Sequence, residues 1–301
     1  MSQKPLLTIF SAPKPFDREH IALIQRNAIR SWLALGDEVE VLLIGDEPGL
    51  AEVAAEMGVR HIPEVARNAQ GTPLVSDIFA QARKAASTPY MCYVNGDIIF
   101  LSDFLAAVKA VIATTPDRFL MVGRRWDLDI TTPLDLSPGW EERLRTLART
   151  QGRLHSPFGI DYFVFPHAAF ADMPPFAVGR SGWDNWMIYH SREQGWKVID
   201  ATDATTVIHQ NHDYAHLPGG QPHYKLEESQ ENIRMAGGPT RMFSIWEANY
   251  ALRDGRLRRV WRPLPTVLRR LERAILASDP NPNGWRRLLL RRVRRTLRAL
   301  M

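Results

Sequence analysis

Three short polar runs in this 301-residue chain carry side chains able to do chemistry. The first is Asn95-Gly96-Asp97, set between the apolar runs Tyr93-Val94 and Ile98-Ile99-Phe100. A carboxylate at a strand end can ligate Mg2+ or Mn2+, which prefer oxygen ligands and keep positions open for a diphosphate. Gly96 would let backbone approach a ligand closely. A plain Asn-Gly hairpin turn is the alternative. The second run is Arg180-Ser181-Gly182-Trp183-Asp184-Asn185-Trp186. Rings beside Asp184 would stack on sugar faces and lower the local dielectric, lifting the carboxyl toward use as a base. Alternatively, Asp184 stabilises a helix N-terminus and the tryptophans are core. The third run, from His209 through Gln210, Asn211, His212 and Asp213 to His216, gathers three histidines and an acid. Imidazole with a carboxylate suits Mn2+, and a solvated polar loop is the alternative. The single cysteine, Cys92, leaves a closed structural zinc site unsupported. Finally, Arg124-Arg125-Trp126-Asp127 would neutralise a diphosphate leaving group or make surface salt bridges.

Other chemistries lack their signatures. There is no GxGxxG, no GxxxxGK[ST] and no GxSxG, so dinucleotide, P-loop and serine-elbow readings are unsupported.

The elements that must hold these runs alternate. Strands are predicted at 6–11, 39–44, 60–62, 90–94, 119–123, 159–166 and 197–201. Helices are predicted at 18–35, 50–57, 74–86, 102–113 with Ser102 as N-cap, and 182–194. Such alternation predicts an α/β fold with a mostly parallel sheet flanked by helices. Ligands of open α/β sheets sit beyond the carboxyl ends of the strands, which lines up Ser11, Asp46, Asn95, Asp97 and Arg124 along one rim. Residues 126–157 look less regular, as a lid or acceptor-facing insertion would. Residues 209–216 read as loop.

The charge divides the chain. Residues 251–301 hold 15 Arg, no Lys and three acids, a net +12, whereas the whole chain is +5 and residues 1–250 therefore carry −7. Two domains are expected, 1–250 and an arginine-rich helical tail at 251–301. In the tail, Leu264, Val267, Leu268, Leu271 and Ile275 share one helical face. Trp285, Leu289, Val293, Leu297 and Leu300 share another, opposed by arginines. Cationic amphipathic helices of this kind suit an anionic membrane surface, here through residues 264–301. Packing against the acidic body and nucleic-acid binding are the alternatives, and nucleic acid is not the expected partner. Neither a signal peptide nor an apolar span is read, and one cysteine fits a reducing compartment. The expected location is cytoplasmic, peripheral on the inner membrane face.

Taken in order, six segments resemble the GT-A fold glycosyltransferases, in particular bacterial family 2-like nucleotide-diphospho-sugar transferases, over residues 6–250. They are Gln25-Arg26-Asn27-Ala28-Ile29-Arg30-Ser31-Trp32, Gly71-Thr72-Pro73-Leu74, Asn95-Gly96-Asp97-Ile98, Gly159-Ile160-Asp161-Tyr162-Phe163, Gly182-Trp183-Asp184-Asn185-Trp186 and His209-Gln210-Asn211-His212. The resemblance implies a Rossmann-like GT-A domain using Mn2+ or Mg2+. Such a domain would move sugar from a nucleoside-diphosphate sugar to a glycan or lipid-linked acceptor, as in polysaccharide biosynthesis. It makes Asp97 the last acid of the Asp-x-Asp motif, with Asn95 where the first acid would stand. It makes His209 the second metal ligand, with His212 as a substitute, and Asp184 the base of an inverting transfer. Asp46 would read the base, Ser11 and Lys14 would meet the nucleotide, Arg124 and Arg125 the diphosphate, and Asp161 the donor sugar. Two other functions stay open. One is a catalytically weak nucleotide-sugar-binding scaffold, suggested by Asn95. The other is a sugar nucleotidylyltransferase, against which the loop Ser11-Ala12-Pro13-Lys14-Pro15 counts.

Overall fold

A strand apolar on both faces needs cover on both sides, and the central strands here are of that kind. The computed structural model describes residues 4–212, 226–279 and 282–300. Its strands are β1 (Leu7–Ser11), β2 (Val39–Ile44), β3 (Arg60–Ile62), β4 (Tyr90–Val94), β5 (Ile98–Ile99), β6 (Phe119–Val122), β7 (Trp126–Leu128), β8 (Arg153–Leu154), β9 (Tyr162–Pro166), β10 (Lys197–Asp200), β11 (Ile208–Gln210), β12 (Tyr250–Arg253) and β13 (Arg256–Arg259). Its helices are α1 (Glu19–Leu33), α2 (Leu50–Met57), α3 (Val75–Ala85), α4 (Ser102–Thr114), α5 (Trp140–Gln151), α6 (Trp183–Glu193), α7 (Glu227–Met235), α8 (Pro263–Ser278) and α9 (Gly284–Ala299).

The large sheet runs β13-β12-β10-β6-β9-β4-β1-β2-β3. Strands β4, β1, β2 and β3 are mutually parallel, and so are β6, β10 and β12. Strand β9 joins the two groups, antiparallel to both β4 and β6. Side chains alternate across the sheet, so Leu7 and Ile9 face one core with α1, α2 and α4, while Phe10 faces a second with α3 and α6.

The region 126–157 is more regular than its sequence suggested. It contributes β7, α5 and β8, and β7 and β8 enter a second sheet ordered β5-β11-β7-β8. Strands of two or three residues are too short for alternation to be read. A small core of Ile99, Leu101, Leu128, Ile130, Leu144, Ala148 and Ile208 holds this sheet in place. His209 accordingly lies in a strand and not in a loop; residues 213–216 lie outside the described residues. Ser102 is the first residue of α4 and does not cap it. The cap position is Leu101, and the Ser102 hydroxyl donates to Glu141 on α5 (2.5 Å).

The sheet runs on past residue 250 through β12 and β13, and the outermost strand is Arg-Leu-Arg-Arg, a charged edge that discourages further strand pairing. Helix α8 is latched to the body. Glu247 accepts from Arg269 (3.1 Å) and Arg273 (2.5 Å), Arg269 also donates to the Met242 carbonyl (2.7 Å), and the Arg273 guanidinium lies over the Phe243 ring (4.5 Å). Helix α9 packs on α8 with Ile275, Leu290, Val293 and Leu297 buried and Arg294 paired to Glu272 (2.7 Å). Of the second helix's stripe, Val293 and Leu297 are thus covered, whereas Trp285 and Leu300 are exposed. Leu264, Val267, Leu271, Trp285 and Leu288 stay exposed. Among the described residues no helix is long and apolar enough to cross a membrane.

Candidate active site

Beyond the carboxyl ends of β1 and β4 opens a cleft of about 840 Å³. At its floor Asp97, His209 and His212 converge. One ligand atom from each lies within 4.8 Å of the others. Pairing between strands produces this meeting. Strand β11 runs antiparallel to β5, directly after Asp97, placing His209 opposite Ile98, and runs parallel to β7, placing His209 beside Asp127. Gln210 locks the register from inside. Its backbone N–H and side-chain amide both donate to the Asp97 carbonyl (3.1 and 3.2 Å), and its amide also donates to the Ile24 carbonyl (2.7 Å).

His212 Nε2 is 3.1 Å from Asp97 Oδ2, His209 Nε2 is 3.9 Å from it, and the Lys14 ammonium is 3.6 Å from it. Burial alone would raise the Asp97 carboxyl, but these neighbours hold it well below the usual carboxylate range. Its other oxygen, Oδ1, is buried without a hydrogen-bond partner. A buried, ionised carboxylate with an orphaned oxygen and two imidazoles is a donor set that fits Mn2+ or Mg2+.

His209 Nδ1 lies 3.4 Å from Asp127 Oδ1, and the other Asp127 oxygen meets His155 Nδ1 at 2.7 Å. Arg125 bridges Asp127 (3.0 Å) and Asp161, and Asn95 donates to Asp161 (2.9 Å). Two carboxylates therefore engage the charge of Arg125. Gly96 lines the cleft, and a Cβ there would come within 3.0 Å of Gln25 Oε1, the atom that accepts the Lys14 N–H (2.6 Å).

Asp184 also lines the cleft, at the start of α6, where its Oδ1 accepts from the Gly182 N–H (3.2 Å). Burial pushes its carboxyl up to about 6. The flanking tryptophans are core. Trp183 packs edge-on against Tyr93 (5.0 Å), and Trp186 stacks on His190 (4.7 Å). The burial of Trp183 beside Asp184 still fits a lowered local dielectric, whereas neither ring is free to stack on a sugar.

Of the residues named from sequence, the cleft brings together Lys14, Asn95, Asp97, Arg125, Asp161, Asp184 and His209. Three do not line it. Ser11 is fully buried at the end of β1. Asp46 points outward and pairs with Arg67, leaving Glu47 and Arg67 on the wall. Arg124 turns away to donate to the His155 carbonyl (2.6 Å). His155, Arg67, Glu47 and Arg180 line the cleft without having been singled out as site residues. They sit on connecting segments whose course depends on tertiary packing, although Arg180 lies in the run that holds Asp184.

No family profile matches the sequence, and no curated protein sequence matches it. Solved structures do resemble it. One is S. aureus TarS (1–349) in complex with UDP-GlcNAc, at TM-score 0.50 and 12% identity, covering 77% of this chain and 65% of that one. Another is glucosyl-3-phosphoglycerate synthase from Mycobacterium tuberculosis with Mn2+, UDP and phosphoglyceric acid, at 0.48 and 16%, covering 78% and 80%. A third is a mannosyltransferase from Pyrobaculum calidifontis with GDP-Man and Mn2+, at 0.41 and 16%, covering 69% and 57%. The likeness to TarS, together with the mixed sheet and its flanking helices, establishes a GT-A fold. At 12% identity it is a likeness of fold.

Proposed function

We propose that the protein is a metal-assisted glycosyltransferase acting on a nucleoside-diphosphate sugar. The observation that carries this reading is the meeting of Asp97, His209 and His212, from distant stretches of chain, at the floor of a cleft large enough for a nucleotide sugar. The TarS structure, holding UDP-GlcNAc on the same fold, supports it.

Asp97, His209 and His212 would hold Mn2+ or Mg2+, which when bound supplies positive charge against the diphosphate. Lys14, beside Asp97, adds a second cationic group at the same end of the cleft. Arg125 and Asn95 fix the Asp161 carboxylate, which is then placed to accept hydrogen bonds from donor sugar hydroxyls. Asp184 takes the proton from an acceptor hydroxyl as its oxygen attacks the anomeric carbon, the bond from that carbon to the diphosphate oxygen breaks, and the nucleoside diphosphate leaves with inversion of configuration. A carboxyl near 6 is mostly ionised at neutral pH and yet basic enough for that transfer. The acceptor is a glycan or a lipid-linked saccharide.

The exposed Trp261, Leu264, Val267 and Leu271, set among the tail's arginines, support docking on the anionic cytoplasmic face of a membrane. Release of free nucleoside diphosphate from a panel of nucleotide sugars, with and without Mn2+, tests the activity. No release from any donor would end the reading.

A further inference from the structure

A second cavity, of about 470 Å³, lies where α8 meets the body. It shares no lining residue with the cleft. The boundary between them is the edge-on pair Phe158 and Trp246, 5.6 Å apart, with Phe158 on the cleft side and Trp246 on the other.

Five guanidiniums line this cavity, from Arg192, Arg259, Arg262, Arg270 and Arg273, against only two carboxylates, Glu193 and Glu247. Two of the arginines are satisfied. Arg262 donates to Asp200 (2.6 Å), and Arg273 to Glu247 (2.5 Å), which Arg269 also holds. The side chains of Arg192, Arg259 and Arg270 make no hydrogen bond or ion pair among the described residues. Arg192 is half-buried, and its desolvation outweighs the favourable charge of Glu247, while the nearby Arg259 adds repulsion. Like charges gathered around a partly enclosed space cost free energy unless an anion neutralises them. Guanidinium forks match phosphate oxygens in geometry as well as charge.

What stands at the mouth narrows the source of that phosphate. Trp261 lines the cavity and is also the most exposed large apolar side chain described, at 86%. It opens the stripe of Leu264, Val267 and Leu271 along α8. An apolar runway leading from a cationic pocket suits an amphiphile with a phosphate head.

We propose that this cavity is a binding site for the phosphate headgroup of an anionic lipid, held by Arg192, Arg259 and Arg270, with the acyl chains running past Trp261 onto α8. The site uses no residue of the donor cleft, so it is independent of the transferase reading. It turns the tail's membrane contact from diffuse attraction into recognition.

The test is binding of the full chain to phosphatidylcholine vesicles with and without phosphatidic acid, in high salt to screen diffuse attraction. R192Q/R270Q should lose phosphatidic acid-dependent binding by about 10-fold or more. R287Q/R291Q, which removes the same charge from exposed positions of α9 outside the cavity, should lose much less. R270Q alone, at an exposed residue with no partner to lose, should show about a threefold loss. Equal losses in the two double variants would overturn the site. Competition by inorganic phosphate as effective as that by dihexanoyl phosphatidic acid would overturn the lipid as its ligand. If wild type bound no vesicle but dihexanoyl phosphatidic acid still quenched its tryptophan fluorescence, with R192Q/R270Q abolishing the quench, membrane docking would fail and the cavity would stand.

Discussion

His209 stands between two acids, with Nδ1 3.4 Å from Asp127 and Nε2 3.9 Å from Asp97. A carboxylate behind an imidazole fixes the tautomer that leaves the far nitrogen free for a metal. Asp127→Asn should therefore weaken Mn2+ binding by about 10- to 100-fold. At saturating Mn2+ turnover should largely recover. Titration calorimetry and rate against Mn2+ concentration would read this, and unchanged affinity would remove Asp127 from the metal's support.

Asp97→Ala removes the acidic ligand itself. Turnover should fall by at least about 100-fold, and added Mn2+ should not restore it, since two imidazoles remain with no carboxylate. Wild-type rates in this variant would reject the metal assignment outright.

Asp184 makes a prediction in pH. Its carboxyl is raised to about 6 by burial, so it is neutral in acid and becomes the base form as pH climbs through that value. kcat/KM should rise with pH across this window and level off above it. Asp184→Asn should flatten that limb and lower kcat by about 100- to 10,000-fold, with little change in donor affinity. The same shift predicts a stability effect. A carboxyl whose folded pKa lies above its unfolded value favours the fold below the ordinary carboxylate range, and that contribution is lost as pH rises through 6. Asp184→Asn should then melt higher than wild type at about pH 8, by on the order of 1 kcal/mol, because the partly exposed side chain is screened by water. A lower melting temperature would contradict this.

The tail's latch depends on Glu247, buried between Arg269 and Arg273. Burial opposes its charge, but the two arginines hold its carboxyl below the ordinary range. The stability it adds is present above the usual Glu pKa and is lost as pH falls through the depressed folded value. Glu247→Gln should loosen α8 by about 3 kcal/mol, measured as hydrogen-exchange protection of residues 263–278, with the cleft's own protection preserved. Unaltered exchange would show that packing alone holds the helix.

Leu264→Glu with Val267→Glu should abolish vesicle binding and leave turnover on a soluble acceptor within about twofold, since both side chains are already exposed. Persistent vesicle binding would rule out that face as the membrane contact.

The longer strands of the large sheet were readable because each carries a run of apolar residues, and β2, β4 and α2 fall where the pattern places them, as does the short β3 between α2 and the next turn. The second sheet was not readable. β5, β7, β8 and β11 are two or three residues long, and only their mutual pairing makes them strands. Asp97 and His209 could be named because their types and settings are distinctive. Asp127 was visible only as a neighbour of two arginines, because its pairing with His209 exists only once β7 lies against β11. Asp46 and Arg124 illustrate the converse. Both lie near strand ends, but a neighbouring arginine turns one outward and a carbonyl draws the other away.

The pairing of β11 with β5 and β7 has a bearing on biosynthesis. The ribosome reaches His212 only 115 residues after Asp97, so a nascent chain carrying Asp97 at first has neither partner imidazole to complete the cation's grip. Competence to hold an activated sugar should arrive abruptly, with the insertion of one three-residue strand.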